Sequence, residues 1–214
     1  MLPTVTTTIT PAATIDLTDI QTVKRELDIA DNSSDDLLSR WISSTSSAVQ
    51  QYCNRIFAVQ TLLDKIYRDC GAGLHIVSPR ERPLQLSGFP IASSPTVIED
   101  SVTLVENIDF LVNYDAGQLF RLDSNLSLRR WASLPVTVQY QAGYATIPAD
   151  VVDAAVLMVK HRWFTRKRDP YLRQESIPGV IEQQWWIAQG PGSNGSMPPD
   201  VEDMLEKYRV PVVG

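Results

Sequence analysis

The strongest periodic pattern in the chain lies between residues 34 and 57. Apolar and small residues recur there at three- and four-residue spacing, and the opposite face is rich in Ser and Gln. This pattern predicts an amphipathic helix of about five turns, long enough to anchor a bundle. The predicted apolar face consists of Leu37, Leu38, Trp41, Ile42, Thr45, Ala48, Val49, Tyr52, Cys53 and Ile56. A shorter helix is predicted before it, beginning at Thr18 with Gln21 as a capping-box partner.

From residue 58 the period changes, and short β-like runs alternate with Gly and Pro. Tyr114-Asp115-Ala116-Gly117 predicts a hairpin turn in which Gly117 supplies a positive φ. The alternation in 136–140 predicts a strand with a single buried face that ends before Gly143. The predicted strands are 59–67, 74–77, 84–86, 96–98, 102–105, 110–113, 119–122 and 136–140.

Helical spacing resumes after Pro148 and continues to a basic end that Asp169-Pro170 stops. A shorter helix is predicted from Pro178 to Ile187, and a Gly/Pro/Ser-rich linker follows it. A last short helix over 199–208 carries Val201, Met204, Leu205 and Tyr208 on one face.

These elements predict an α+β fold: a small helical bundle with an inserted antiparallel β-rich subdomain and extended N- and C-terminal segments. The predicted parts are a flexible N-terminal arm (1–15), a first helical part (16–57), a β-rich insertion (58–146), a second helical part (147–188), and a linker with a C-terminal docking helix (189–214). The Thr-rich arm is either plain terminal disorder or a partner-binding arm.

Composition restricts the functional classes. The net charge of −6 argues against DNA binding as the main activity, because nucleic-acid binders usually carry a basic footprint. The two cysteines form no disulfide framework, and reduced thiols are expected. We see no signal peptide and no apolar run long enough to span a bilayer, so no membrane association is expected.

Candidate chemistry is sparse. The two histidines, His75 and His161, are separate in sequence, and neither zinc-ligand spacing nor a nucleophile elbow or phosphate-binding loop is present. We therefore predict no catalytic residues, no metal and no cofactor, and hence no enzyme.

Three features suggest contacts with partners. The first is a basic patch in 160–173, where six basic residues accompany a single acidic one. The basic residues are Lys160, Arg162, Arg166, Lys167, Arg168 and Arg173. Three interpretations of this patch remain open: a solvated helix end, a contact for an acidic partner surface, and a contact for DNA phosphates. The second is the pair Trp185-Trp186, which is either buried or an intersubunit contact. The third is the C-terminal helix, which is too short to be stable alone and must dock on its own body or on a partner.

Several motifs in this order resemble the head–tail connector (adaptor) proteins of long-tailed double-stranded DNA bacteriophages and related gene-transfer particles. The resemblance covers roughly residues 16–210. It rests on Tyr52-Cys53-Asn54-Arg55-Ile56-Phe57, Leu86-Ser87-Gly88-Phe89-Pro90-Ile91, Tyr114 to Leu119 before Arg121, Trp131 before Val136-Thr137-Val138-Gln139-Tyr140, Gly143-Tyr144 before Ile147-Pro148-Ala149-Asp150, and Met197-Pro198-Pro199-Asp200-Val201-Glu202 before Leu205, Tyr208 and Arg209.

The resemblance implies a subunit of the virion neck, assembled in the host cytoplasm into a ring that is commonly a dodecamer. The implied partners are other copies of the chain, the portal protein, a tail or stopper protein, and transiently the genomic DNA in the lumen. It also implies portal docking through Val201, Met204, Leu205, Tyr208 and Arg209. The alternatives are a neighbouring neck protein (head-completion or tail-terminator), a monomeric carbohydrate- or peptide-binding module, and a small hydrolase.

Overall fold

The computed structural model describes residues 4–67, 83–131, 135–166, 174–177, 181–184 and 197–210. The chain divides into two compact units. The β unit contains Met1–Thr14 and Arg55–Thr146, and the helical unit contains Ile15–Asn54 and Ile147–Gly214. Helices together with antiparallel sheets confirm the predicted α+β class.

The β unit contains a five-stranded and a four-stranded antiparallel sheet. The five-stranded sheet has the order β1-β2-β9-β4-β5, and the other has the order β3-β7-β6 with β8 paired to β7. The strand bounds are β1 Thr4–Thr10, β2 Gln60–Ile66, β3 Leu84–Gln85, β4 Thr96–Glu99, β5 Val102–Leu104, β6 Phe110–Asn113, β7 Gln118–Leu122, β8 Leu128–Arg129 and β9 Val136–Ala142.

One apolar core joins the two sheets. Along β9 every second residue is buried, which confirms the predicted alternation and follows from the two-residue period of a strand. Gly117 turns the β6–β7 hairpin at φ 65°, and Gly143 follows β9 at φ 124°. The core residues are Leu62, Ile66, Leu84, Leu86, Ile91, Val97, Leu104, Phe110, Leu119, Val136, Val138, Tyr140 and Ala142.

The flexible arm predicted for residues 1–15 is wrong over β1. Thr4 pairs with Ile66 and Thr8 with Leu62, so the segment is an antiparallel edge strand. All seven residues of β1 are Thr, Val or Ile, whose branched Cβ favours extended backbone. The Thr-rich composition therefore indicates a strand and not a disordered arm.

The helical unit is built from α1 Ile20–Glu26, α2 Asp35–Cys53, α3 Ala149–Thr165 and α4 Pro199–Leu205, which continues into a 3-10 turn over Glu206–Tyr208. Its core contains Val23, Leu38, Ile42, Val156 and Val159. The predicted capping residue of α1 is wrong by one position. The Asp19 carboxylate, and not Thr18, accepts hydrogen bonds from the backbone N–H groups of Gln21 and Thr22 at 2.8 and 2.9 Å.

The helix predicted between Pro178 and Ile187 is also wrong where the structure describes the chain. Strands β10 Gln174–Ile177 and β11 Ile181–Gln184 pair antiparallel there, with Ile177 opposite Ile181. Pro178-Gly179, which lies between the two strands and outside the described residues, is a turn signal in the sequence as well as a possible helix start.

Candidate interaction surfaces

The C-terminal helix α4 docks on the helical unit of its own chain. Val201 and Leu205 are fully buried, so these two predicted docking residues are core residues. Met204 and Tyr208 are half-buried and Arg209 is exposed. The apolar face of α4 is therefore buried within its own chain at these two positions, and docking on a portal protein stays a prediction.

Polar contacts hold the segment that follows α4. The Tyr208 hydroxyl donates to Asp150 Oδ1 at 2.7 Å, and Lys207 Nζ pairs with the other oxygen of the same carboxylate. The hydrogen bond from Lys207 lowers the pKa of Asp150, and the Tyr208 hydroxyl adds to this effect. Val210 donates its backbone N–H to Cys53 O at 2.9 Å, which ties the chain to the end of α2.

Arg209 lies over the Tyr52 ring, with its guanidinium carbon 5.2 Å from the ring centre. Tyr52 in turn donates to Glu206 Oε2 at 3.3 Å. Burial, assisted by the nearby Glu202 and Glu206 carboxylates, raises the pKa of Tyr52. Arg209 thus belongs to an exposed polar cluster at the junction of α2 and the C-terminal turn.

The described members of the basic patch are mostly engaged within the helical unit. Lys160 Nζ pairs with Glu26 Oε2 at 3.0 Å. Arg162 is half-buried and donates to Ser44 Oγ, and burial lowers the pKa of its guanidinium. Arg166 is exposed and stacks on the Trp163 ring at 3.4 Å. Lys167, Arg168 and Arg173 lie outside the described residues, as do Trp185, Trp186 and His75.

His161 has a partner in the C-terminal segment, since its Nε2 lies 3.1 Å from Asp200 Oδ2 at the start of α4. Across the ranges that the structure describes, no group of three or more His, Cys, Asp or Glu side chains could hold a metal ion. Nor does any described helix have the length and hydropathy needed to cross a membrane.

A buried polar network fixes the loop before the cis Phe89-Pro90 bond in the β unit. The fully buried Asp64 carboxylate accepts from Ser87 N and from the Tyr140 hydroxyl, both at 2.8 Å. That hydroxyl also accepts from Gly88 N at 2.9 Å. Burial raises the pKa of Tyr140 well above its usual value. Each polar group in this network has a partner, which suits a structural role.

A second polar network holds the other end of the β unit. The buried Arg121 side chain donates through Nε to Glu99 Oε2 at 2.9 Å and through its terminal nitrogen to Asp109 O. It therefore connects the tip of the β4–β5 hairpin to the loop before β6. Sequence patterns gave no signal of this arrangement, because its members are distant along the chain.

Exposed aliphatic side chains occur at both end strands of the five-stranded sheet. Val5 (56% exposed) and Ile9 (47%) belong to β1, whereas Val102 (60%), Val105 (53%) and Ile108 (62%) lie in or beside β5. The sequence does not reveal this distribution, since strand order in the sheet is needed to recognise the two edges.

The comparisons with known proteins identify the family. The family model described as "Head completion protein" matches residues 16–210. The chain belongs to the head completion protein family. This is a structural family without enzymatic activity, which confirms the prediction that the chain is not an enzyme. No curated protein matches the head completion chain at a significant level.

Solved structures share the fold of this head completion protein. A chain from the "Neck of empty GTA particle computed with C6 symmetry" matches with a TM-score of 0.55 and 13% identity, over 98% of both chains. A chain from the "Neck of native GTA particle computed with C12 symmetry" gives 0.54 and 13%, over 98% of both. A third chain, from the "Virion of native gene transfer agent (GTA) particle", gives 0.54 and 11%, over 98% of this chain and 97% of that one.

The family match changes the identification made from sequence motifs. The connector (adaptor) family was the expected one, and head completion was the alternative; the alternative is the better supported of the two. The broader resemblance to particle-assembly proteins is confirmed.

Proposed function

We propose that this protein is a ring-forming subunit of the neck of a phage-like particle, where it completes the head, joins it to the tail and lets DNA pass through its lumen. The observation that carries the proposal is the family match over residues 16–210. The end-to-end fold likeness to neck chains of a gene transfer agent supports it, because that neck was computed with six- and twelvefold symmetry. Its site of action is then the neck of the virion.

Such a ring is either a connector (adaptor) or a head-completion protein of the neck. The family match favours the head-completion protein. A tail-terminator position, at the far end of the neck, has no observation of this chain in its favour.

Deletion of the gene tests this role in the particle. We expect filled heads and separate tails that fail to join, and we expect the wild-type gene supplied in trans to restore joined particles. Joined particles of normal yield in the deletion strain would contradict the proposed function.

For the contact with the portal, we propose the exposed side chains around the C-terminal turn in place of the buried apolar face of α4. Arg209 is exposed at this turn, and the chain continues beyond it to residue 214. An arginine held over an aromatic ring suits contact with an acidic or aromatic partner surface.

Because Val201 and Leu205 are core residues, removal of residues 197–214 would unfold the helical unit and test nothing about binding. The sharper variants are Arg209→Glu and a truncation after residue 210. Both should weaken pull-down by purified portal protein and leave the far-ultraviolet circular dichroism unchanged. Arg40→Glu, an exposed change on α2, is the matched control. Unchanged portal binding in both test variants would refute this contact.

Of the described residues of the basic patch, Arg166 is the one we propose as a partner contact, because it is exposed, whereas Lys160 and Arg162 make polar contacts with side chains of the helical unit. Its contact is either DNA in the lumen or an acidic protein surface. Salt dependence of DNA retention by Arg166→Ala rings, compared with wild-type rings, separates these two possibilities.

A further inference from the structure

The two end strands of the five-stranded sheet, β1 and β5, are uncharged, and in the described part of the chain each pairs with another strand on one side only. Neither the seven residues of β1 nor the three of β5 include a charged residue or a proline. Natural proteins commonly place lysines, prolines or other charges in such strands, because a bare edge is a template for pairing with another chain. An uncharged strand at each end of one sheet makes both edges candidates for pairing with another chain.

Exposed aliphatic side chains are among the residues at these two edges. Val5 and Ile9 accompany β1, and Val102, Val105 and Ile108 accompany β5. Central strand β9 has only polar side chains on its outer face, namely Thr137, Gln139 and Gln141. Each edge thus offers backbone hydrogen-bonding groups together with apolar surface, which is the combination that strand addition uses.

The strand directions allow the sheet of one copy to continue into the sheet of a second copy, with β5 of the first beside β1 of the second. Each neighbouring pair in the order β1-β2-β9-β4-β5 is antiparallel, so β1, β9 and β5 run in the same direction. In a cyclic ring, neighbouring copies touch through two different surfaces and are related by a rotation. A second copy beside the sheet would therefore present its β1 edge parallel to β5 of the first copy.

Both edges are held in place from the inner side of the sheet. Arg121 bonds to Glu99 at the end of β4, one turn before β5. On the other side, Thr6 Oγ1 donates to Ser87 Oγ at 2.8 Å. The irregular register between Thr8 and Thr10 and the following Pro11 limit the usable edge of β1 to its first part, which contains Val5 and Thr7.

We infer that, in the ring, β5 of one copy pairs in parallel with β1 of the next copy, so that the sheets of successive copies are joined edge to edge. The inference rests on the proposed function, because it needs a ring of identical copies. A strand pair this short is weak alone, but each copy contributes one such contact on either side, and ring closure makes the contacts act together.

Engineered cysteines test the pairing. Cross-strand register places Val5, Lys65, Thr137, Ile98 and Thr103 in one row on one face of the sheet. Thr7 lies two residues from Val5 on the same face. The pairs Val5→Cys/Thr103→Cys and Thr7→Cys/Thr103→Cys therefore cover two neighbouring registers. Both are made in a background with Cys70→Ser, and Gln139→Cys/Thr103→Cys is the control, with one cysteine on a central strand.

The sample is the full chain under ring-forming conditions, alone and with portal protein, oxidised and run on non-reducing gels beside native mass measurement. We expect at least one test pair to give a reducible ladder of covalent multimers and the control pair to remain monomeric. In addition, Thr103→Lys should abolish the ring and Gln139→Lys should preserve it. Rings in which both test pairs stay monomeric would overturn the edge-to-edge pairing and leave the proposed function intact. Absence of rings in every sample, wild type included, would overturn both.

Discussion

The C-terminal helix gives the most direct test of how the helical unit is held together. Leu205 is fully buried, although it lies in a segment that sequence alone describes as a tethered docking helix. We predict that Leu205→Ala destabilises the isolated protein. If α4 were free until a partner bound, the same change would leave the isolated protein unaffected.

The expected magnitude follows from burial. Truncation of a fully buried leucine to alanine lowers the free energy of unfolding by about 2–5 kcal/mol, because apolar contacts are lost and a cavity remains. With a urea dependence of about 2 kcal/mol per molar, the unfolding midpoint falls by about 1–2.5 M.

The assay is urea unfolding followed by circular dichroism at 222 nm, which reports the helices of the helical unit. Asp203→Ala is the control, because Asp203 is exposed on the same helix, and its effect should stay within about 0.5 kcal/mol. Equal midpoints for Leu205→Ala and Asp203→Ala would refute the reasoning, since α4 would then not be part of the folded core of the isolated chain.

Three further changes test other contacts. Tyr140→Phe should lower the free energy of unfolding by about 1–3 kcal/mol, because Gly88 N and the buried Asp64 each lose a hydrogen-bond partner. Urea unfolding measures this change, and an unchanged midpoint would contradict the network. Asp150→Asn should destabilise the protein at neutral pH. Because the pKa of Asp150 is lowered in the fold, this difference from wild type should persist above about pH 4 and disappear as the pH falls further; a difference that grows in acid would contradict the sign. Gly143→Ala should lower the midpoint of thermal unfolding, because φ is 124° at this residue and the added Cβ would lie 2.7 Å from Ala58 O. A midpoint equal to that of the wild type would contradict this strain.

The sequence predicted the β unit well because its signals are local. Alternation along β9 and the turn ending in Gly117 each depend on a few adjacent residues, and both appear as expected. The predictions failed where the same residue type is compatible with two kinds of local structure. Threonine-rich 4–10 was interpreted as part of a flexible arm although its β-branching favours a strand, and Pro178 was interpreted as a helix start although Pro-Gly favours a turn.

The candidate interfaces were harder to predict because they depend on long-range geometry. Amphipathicity identifies Val201 and Leu205 as docking residues but does not say whether they dock on their own chain or on a partner. Likewise, the sequence shows that β1 and β5 are uncharged, but only the strand order shows that they are the two edges of one sheet. The Arg121–Glu99 contact joins residues from different hairpins, and no sequence period predicts it.

The central claim, a neck ring, is tested most directly by electron microscopy of the purified protein with and without purified portal protein. We predict closed rings that stack coaxially on the portal, with a central channel wide enough for double-stranded DNA. Monomers that neither close into rings nor associate with the portal or its neck partners would contradict the account.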